Sequence, residues 1–249
     1  MGYRLLPVLL LAALAAPASA VAAEKMPLRP AGDQSPLGDE RLSNETTLTR
    51  WAHTNLRGAI RSRPDHGADA VGSLHWNTED GVPEVYVVLQ SRLDENDRVW
   101  LQIRIPGRPN GRKGWVREPQ LSNLRTIRTQ LTIDRGALKA TLRKRGKTIW
   151  TSRIGVGKPG TPTPRGRFWI RERLPNLGGS PIYGPWAFGT SAYSNSLTDW
   201  PGGGVVGIHG TNQPELIPGR PSHGCIRVPN ARISKLAELM PVGTPVRIK

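Results

Sequence analysis

Glycine and proline interrupt this sequence so often that a bundle of long helices is excluded. The chain has 249 residues, of which 28 are Gly and 23 are Pro. Both residue types favour turns, so their density predicts short strands joined by many turns. One amphipathic helical pattern stands out near the C-terminus, where apolar residues recur through Ala231–Met240 after Pro229. We therefore predict a mainly β fold with one C-terminal helix.

The N-terminus predicts export to the cell envelope. Arg4 precedes the apolar run Leu5–Ala16, and the small residues of Pro17–Ala20 are typical of a signal-peptide cleavage site. The run is too short for a stable membrane span. We expect residues 1–23 to be a cleaved signal peptide, with an uncleaved signal anchor as the alternative. Residues 24–46 are rich in Pro, Gly and acidic side chains and are predicted to be a flexible linker.

Residues 47–124 are predicted to form a small all-β domain. Strand-like runs cover Val85–Leu89 and Val99–Ile103. The pattern of Trp100–Ile103 followed by Gly114–Val116 resembles the last strands of bacterial SH3-like domains, which implies a small barrel that positions or targets the protein. Its two tryptophans can line a peptide groove or fill the core, and we expect the core.

The strong positive charge indicates which partners the chain can attract. The sequence has 35 Lys and Arg against 19 Asp and Glu, a net charge of +16. Such a surface attracts polyanions, including anionic wall polymers, unless it is only a solvated coat. No helix-turn-helix, zinc-finger or RNA-binding signature is present, so no nucleic-acid partner is expected.

The single cysteine is the main candidate for chemistry. In an oxidising compartment Cys225 cannot form an intramolecular disulfide, so it is a buried apolar side chain, an intermolecular bridge or a reactive thiol. A nearby imidazole, from His209 or His223, could accept its proton and return one to a leaving group. If residues 223–227 are extended, the side chains of His223, Cys225 and Arg227 point to one face.

Several neighbouring residues are candidates for the rest of a site. Backbone N–H groups around Gly224 could bind an oxyanion, and Arg227 could bind a substrate carboxylate. A zinc site formed by the two histidines and the cysteine is a rival, but no C-x-x-C or H-E-x-x-H spacing accompanies it, and we expect neither metal nor cofactor. Three aromatic residues upstream could form a lid over a substrate groove or pack in the core: Tyr183, Trp186 and Tyr193.

Four motifs together resemble one enzyme family. They are Ile208–Thr211, Ser222–Arg227 (SHGCIR), the loop Gly157–Phe168 and the ending Pro241–Val246. These segments resemble the L,D-transpeptidases with a YkuD-type catalytic domain, and the resemblance covers about residues 128–249. It implies a β-sandwich-like catalytic domain after the SH3-like one.

The resemblance also implies roles for individual residues. Cys225 matches the nucleophile, and His209 matches the histidine that acts as base and acid. The carbonyl of the next residue orients that histidine in some members; this residue is Gly210 here, where others have Ser. The residues implied for the oxyanion-binding turn are His223, Gly224 and Cys225, and Ser222 is expected to order that turn through hydrogen bonds.

The implied reaction is acyl transfer between peptidoglycan stem peptides. Cys225 would attack the L,D peptide bond of a stem tetrapeptide, release D-Ala and pass the acyl group to a side-chain amine of a second stem, giving a 3→3 cross-link. Carbapenem-type compounds are the expected inhibitors. The alternatives are an L,D-carboxypeptidase, in which water is the acceptor, and a non-catalytic wall-binding protein. A reactive thiol of low pKa is expected for the enzyme and an inert thiol for the binder.

Overall fold

The computed structural model describes residues 26–197 and 201–249, so the predicted signal peptide lies outside the described residues. Within them, nineteen strands and one α-helix confirm the mainly β prediction. The helix α1 (Asn230–Leu239) follows Pro229 as predicted. No helix in the described part of the chain is long and apolar enough to cross a membrane.

The N-terminal module contains one eight-stranded sheet. Its strands are β1 (Glu40–Arg41), β2 (Thr49–Ala52), β3 (Ala59–Arg61), β4 (Ala70–Ser73), β5 (Tyr86–Leu93), β6 (Val99–Arg104), β7 (Lys113–Arg117) and β8 (Arg125–Ile127). The strand order is β4-β3-β7-β6-β5-β2-β8, with β1 paired to β5. Trp100 is fully buried and Trp115 is almost fully buried, which places both in the core. That this sheet is an SH3-like barrel stays a prediction.

The C-terminal domain contains two further sheets. Its strands are β9 (Thr129–Asp134), β10 (Lys139–Lys144), β11 (Lys147–Arg153), β12 (Gly155–Gly157), β13 (Gly166–Trp169), β14 (Leu174–Pro175), β15 (Trp186–Tyr193), β16 (Val205–His209), β17 (Gly219–Ser222), β18 (Ile226–Arg227) and β19 (Pro245–Ile248). One sheet has the order β11-β10-β9-β19-β13 and the other has the order β14-β15-β16-β18-β12-β17. Short 3₁₀ helices connect several elements: Glu118–Gln120, Leu177–Gly179, Pro181–Tyr183, Pro201–Gly204 and Pro214–Leu216.

A shared apolar core joins these two sheets and α1. It includes Leu131 of the first sheet, Phe188 and Ile208 of the second, and Leu236 of the helix, all fully buried. Burying such side chains is worth about 1.5–3 kcal/mol each. This core supports β16 and β18 from below and so gives the site above them a rigid floor.

The predicted linker over residues 24–46 is wrong for most of its length. Leu42 is fully buried in the core of the N-terminal module, and β1 pairs with β5. The Arg29 side chain is also buried, where it pairs with Asp33 and Glu40. Polar composition indicated flexibility, but the buried Leu42, with Leu37 packed against the same core, and the paired backbone order the segment.

The N-terminal module packs tightly on the C-terminal domain. Trp51 and Val87 of the module share a small core with Trp169 of β13, and the Trp169 indole donates to the carbonyl of Val85 at 2.7 Å. The guanidinium of Arg108 donates to the carbonyl oxygens of three residues in the other domain: Ser194, Leu197 and Gly203. The module therefore helps to shape the loop that borders the site.

Candidate active site

Two parallel neighbouring strands bring the candidate histidine and cysteine together. Strands β16 and β18 pair in parallel with Ile208 opposite Ile226 and His209 opposite Arg227. Cys225 immediately precedes β18 and so lies beside Gly207, whose N–H donates to the Cys225 Sγ at 3.4 Å. Both side chains rise from the same face of the sheet.

Gly207 lies between these two side chains. A Cβ atom built on Gly207 would lie 3.8 Å from His209 Cδ2 and 3.9 Å from Cys225 Sγ. The imidazole and the thiol therefore flank the bare Cα of one residue. A Gly inside a strand often marks a close approach of another group. The position of Gly207 inside a predicted strand could therefore have indicated this site from the sequence.

The imidazole of His209 is held in one tautomer. Its Nδ1 lies 2.6 Å from the carbonyl oxygen of Gly210. Because a carbonyl can only accept, Nδ1 carries the hydrogen and Nε2 keeps its lone pair. The ring of Tyr183 packs edge-on against the imidazole, with centroids 5.1 Å apart. The sequence-based expectation for the Gly210 carbonyl thus corresponds to the observed geometry.

Burial disfavours the charged form of both groups. Burial lowers the pKa of His209 to about 4, and the positive charge of Arg227 adds to this. Burial raises the pKa of the Cys225 thiol, although the Gly207 N–H and Arg227 oppose the change. The direction of this change does not favour a thiol of low pKa in the resting protein. A neutral imidazole beside a neutral thiol is suited to general-base activation as the sulfur attacks.

A buried hydrogen-bond network shapes the turn before Cys225. Ser222 Oγ donates to the Cys225 carbonyl at 2.6 Å and accepts from the Gly224 N–H at 3.1 Å. Thr163 Oγ1 donates to the Gly224 carbonyl at 2.7 Å and accepts from the Gly157 N–H at 2.9 Å. The Gly224 N–H, which was predicted to be an oxyanion donor, is engaged by Ser222 in this structure.

The chain between His223 and Cys225 is not part of a strand, so the condition under which His223 would share a face with Cys225 and Arg227 is not met. Gly224 has a φ of +133°, a conformation that side chains rarely adopt, and β18 begins only at Ile226. His223 is exposed at the site. Cys225 and Arg227 alone keep the predicted shared face. The Arg227 guanidinium donates to the Gln213 side chain at 2.8 Å, and its buried Nε has no hydrogen-bond partner among the described residues.

The three upstream aromatic residues have different surroundings. Tyr183 borders the site beside His209. Trp186 packs against the domain core with the guanidinium of Arg173 over its ring at 5.5 Å. Tyr193 is buried, and its hydroxyl bonds to Arg171 and Glu79. A lid role is therefore wrong for Trp186 and Tyr193, for which the core-packing alternative holds.

Two clefts meet at the thiol and the imidazole. The first cleft, of about 590 Å³, runs along Leu197, Ser222 and Arg227. The second cleft, of about 1020 Å³, runs past Gly207 and Gly189 to Glu172. Cys225, His209 and Tyr183 border both of them. The sulfur can therefore be approached from two sides.

Thr163 and Glu172 are further residues that sequence reasoning missed. Thr163 lies between two prolines in the loop that resembles a family motif, but only its contacts reveal that it orders the Cys225 turn. Glu172 is separated from the motifs in sequence and reaches the cleft through folding alone. In the part of the chain that the structure describes, no group of three His, Cys, Asp or Glu side chains could hold a metal ion.

The comparisons with known proteins place the chain in a family. The model of the L,D-transpeptidase catalytic domain, YkuD, matches residues 128–248. The YkuD protein of Bacillus licheniformis is 38% identical over 130 residues, which cover 52% of this chain and 71% of that protein. The Bacillus subtilis YkuD protein gives the same identity and coverage.

Solved structures of L,D-transpeptidases also match. The catalytic domain from E. faecium, determined by NMR, is 28% identical, with a TM-score of 0.37 over 49% of this chain and 96% of that chain. An L,D-transpeptidase from Mycobacterium smegmatis is 14% identical, with a TM-score of 0.42 over 86% of this chain and 100% of that chain. On its sequence relatives, the chain belongs to the L,D-transpeptidase family and carries the YkuD catalytic domain over residues 128–248.

Proposed function

We propose that this protein is an exported cysteine acyltransferase that cross-links peptidoglycan stem peptides. The observation that carries the proposal is the placement of Cys225 and His209 on either side of Gly207, where two clefts meet. A binding protein has no need of a thiol beside an imidazole whose acceptor nitrogen is kept free. One cleft can hold the acyl donor while the other admits the acceptor.

The first half-reaction forms a thioester on Cys225. The sulfur attacks the carbonyl carbon of the L,D peptide bond in a stem tetrapeptide, and the thiol proton passes to His209 Nε2. The C–N bond then breaks, and the imidazolium gives its proton to the departing amino group of D-Ala. The Gly210 carbonyl stabilises the imidazolium through its bond to Nδ1–H. The N–H of Cys225 itself is the oxyanion donor that we propose in place of the Gly224 N–H.

The second half-reaction transfers the acyl group. A side-chain amine of a second stem attacks the thioester, the C–S bond breaks and the thiol is restored, which gives a 3→3 cross-link. Water as the acceptor would give an L,D-carboxypeptidase instead. Both reactions share the thioester, so only their products distinguish them.

Arg227 is the proposed donor-binding residue. It lies opposite His209 on the neighbouring strand and borders the first cleft. Its Nε is buried without a partner, which suits a substrate carboxylate as the missing acceptor. We assign the D-Ala end of the donor stem to this position.

Export and wall binding complete the proposal. The predicted signal peptide would deliver the enzyme to the envelope, and the SH3-like module would position it there. The net charge of +16 supports an additional attraction to anionic wall polymers. Binding to purified sacculi should then weaken steeply as salt is raised; binding that is independent of salt would exclude this attraction.

Mass spectrometry of the products tests the proposed function. The purified protein is incubated with stem tetrapeptides that carry a free side-chain amine. We expect release of D-Ala and formation of cross-linked dimers by the wild type, and neither by Cys225→Ala. Shortened stems without dimers would identify a carboxypeptidase. Unchanged tetrapeptides would contradict an enzymatic function and favour the alternative of a non-catalytic wall-binding protein.

A further inference from the structure

The second cleft ends in a cluster of carboxylates away from the thiol. Glu79 and Asp80 reach it from the N-terminal module, where a turn closed by the Gly81 N–H and the Thr78 carbonyl presents them. Glu172 comes from the C-terminal domain. Because the chain as a whole carries a charge of +16, this acidic end is an exception on a basic protein.

Two glycines form the floor between the thiol and these carboxylates. Gly189 of β15 pairs directly with Gly207 of β16. A Cβ on Gly189 would lie 2.2 Å from Glu172 Oε2, and one on Gly207 would lie 3.9 Å from Cys225 Sγ. Directly opposite residues of an antiparallel pair have Cα atoms about 5 Å apart. The Glu172 carboxylate therefore lies against β15 and the Cys225 thiol lies against β16, on the same face of the sheet. The two strands are about one strand spacing apart.

Glu172 forms no salt bridge with a basic side chain among the described residues. The residue is 4% exposed, and its Oε1 has no hydrogen-bond partner among the described residues. The neighbouring guanidinium of Arg171 is engaged by Glu84 and by Glu79. Burial and the Asp80 carboxylate raise the pKa of Glu172 to about 7, although a hydrogen bond with Thr78 and the charge of Arg171 oppose the change. A buried carboxylate oxygen without a hydrogen-bond partner is costly, and a cationic ligand would relieve that cost.

We propose that Glu172 and Asp80 bind the primary ammonium group of the acceptor stem and that Glu172 takes its proton. This inference rests on the proposed transfer reaction. The ammonium gives one proton to the Glu172 carboxylate and becomes a neutral amine, which attacks the thioester carbon. As the C–S bond breaks, the second proton passes through His209 to the sulfur, and the products are an amide and the free thiol.

The chemistry of the site favours an ammonium over a metal ion. In the described ranges, no three His, Cys, Asp or Glu side chains are arranged as metal ligands. A carboxylate that is half-protonated near neutral pH can both attract an ammonium and accept its proton. The absence of a side chain on Gly189 is what lets the Glu172 carboxylate lie directly over β15 and border the cleft. The N-terminal module thus contributes, through Asp80, to the choice of acceptor.

The experiment compares transfer with hydrolysis in four full-length proteins: wild type, Glu172→Gln, Asp80→Asn and the control Glu95→Gln. Glu95 is an exposed carboxylate in the β5–β6 turn. Each is incubated with donor tetrapeptide and an amine-bearing acceptor stem, and D-Ala, dimers and shortened stems are quantified. We expect D-Ala release within about twofold of wild type in the control Glu95→Gln. The ratio of dimer to shortened stem should fall about tenfold or more in the Glu172 and Asp80 variants, as expected for loss of a charged hydrogen bond, and should be unchanged in the control.

A binding measurement separates this inference from the proposed function. Calorimetric titration of the amine-bearing stem into Cys225→Ala and into Cys225→Ala/Glu172→Gln should show an affinity about tenfold lower or more for the double variant. If the wild type released no D-Ala, the proposed function would fail, and this titration would still decide the ammonium site. Should Glu172→Gln not fold, Asp80→Asn carries both measurements. An unchanged product ratio with unchanged affinity would overturn the inference.

Discussion

The Nδ1 of His209 lies 2.6 Å from the carbonyl oxygen of Gly210, and this one contact leaves Nε2 as the acceptor for a proton. The carbonyl cannot move independently, because the space around Gly210 is full. A Cβ there would lie 2.4 Å from Asn230 Oδ1, 2.9 Å from the Gly184 Cα and 3.0 Å from the Tyr183 carbonyl oxygen. In this chain Gly210 therefore could not be replaced by Ser without a shift of backbone.

Gly210→Ala should disturb the His209 tautomer and the packing around it. We expect the free energy of unfolding to fall by about 1–3 kcal/mol from overpacking, and D-Ala release to fall about tenfold or more. Gly160→Ala is the matched control, because nothing lies within 4 Å of its Cβ position. Unfolding curves and product assays check both. Wild-type activity in Gly210→Ala would show that the carbonyl does not need this fixed position.

Acid should destabilise the protein through His209. Its folded pKa of about 4 lies below its ordinary value of 6.5, so the unfolded state binds the proton first as pH falls. The free energy of unfolding should decrease from pH 6.5 towards pH 4, by up to roughly 3 kcal/mol from this group. Denaturant titrations across this window should show a smaller decrease for His209→Gln. Parallel curves for the two proteins would mean that other groups cause the loss.

Thr163→Val should loosen the turn that carries Cys225. Valine keeps the shape but leaves the Gly224 carbonyl and the Gly157 N–H without their buried partner. We expect a loss of about 1–3 kcal/mol of stability and slower acylation of the thiol. Thr163→Ser, which keeps the hydroxyl, should recover most of both. If Val and Ser behaved alike in unfolding and acylation assays, the hydroxyl would have no role in this turn.

Arg171→Met should weaken the contact between the module and the C-terminal domain. Arg171 and Glu84 are almost fully buried, and their Nε and Oε1 atoms lie 2.8 Å apart. Removing one partner of a buried pair costs about 3–5 kcal/mol because the other charge remains buried. Lys235→Met, which breaks an exposed pair with Glu238, should cost about 1 kcal/mol or less. Equal losses in denaturant unfolding would contradict a role for the buried pair.

Local patterns predicted much of the fold and the centre of the site. Alternation and turn residues placed the strands around Val99–Ile103, and apolar spacing after Pro229 placed the helix. The motif around Cys225 indicated the candidate nucleophile, because the residues of that motif are neighbours both in sequence and in the turn. These signals come from residues that are close in sequence, and they predicted the features that are formed by such residues.

The remaining features depend on contacts between distant segments. Asp80 and Glu172 meet only because the two modules pack together. Composition could not show that Leu42 orders the segment taken as a linker, since one buried side chain changes composition little. The Tyr193 hydroxyl could not be assigned before Arg171 and Glu79 were found beside it.

Intact-protein mass spectrometry after incubation with a carbapenem tests the central claim most directly, because the acyl-enzyme on Cys225 is its covalent product. We expect one adduct on the wild-type protein, mapped to the peptide that contains Cys225. We expect no adduct on Cys225→Ala, whose unfolding temperature should stay close to that of the wild type. An adduct that persists on folded Cys225→Ala would contradict the assignment of Cys225 as the nucleophile.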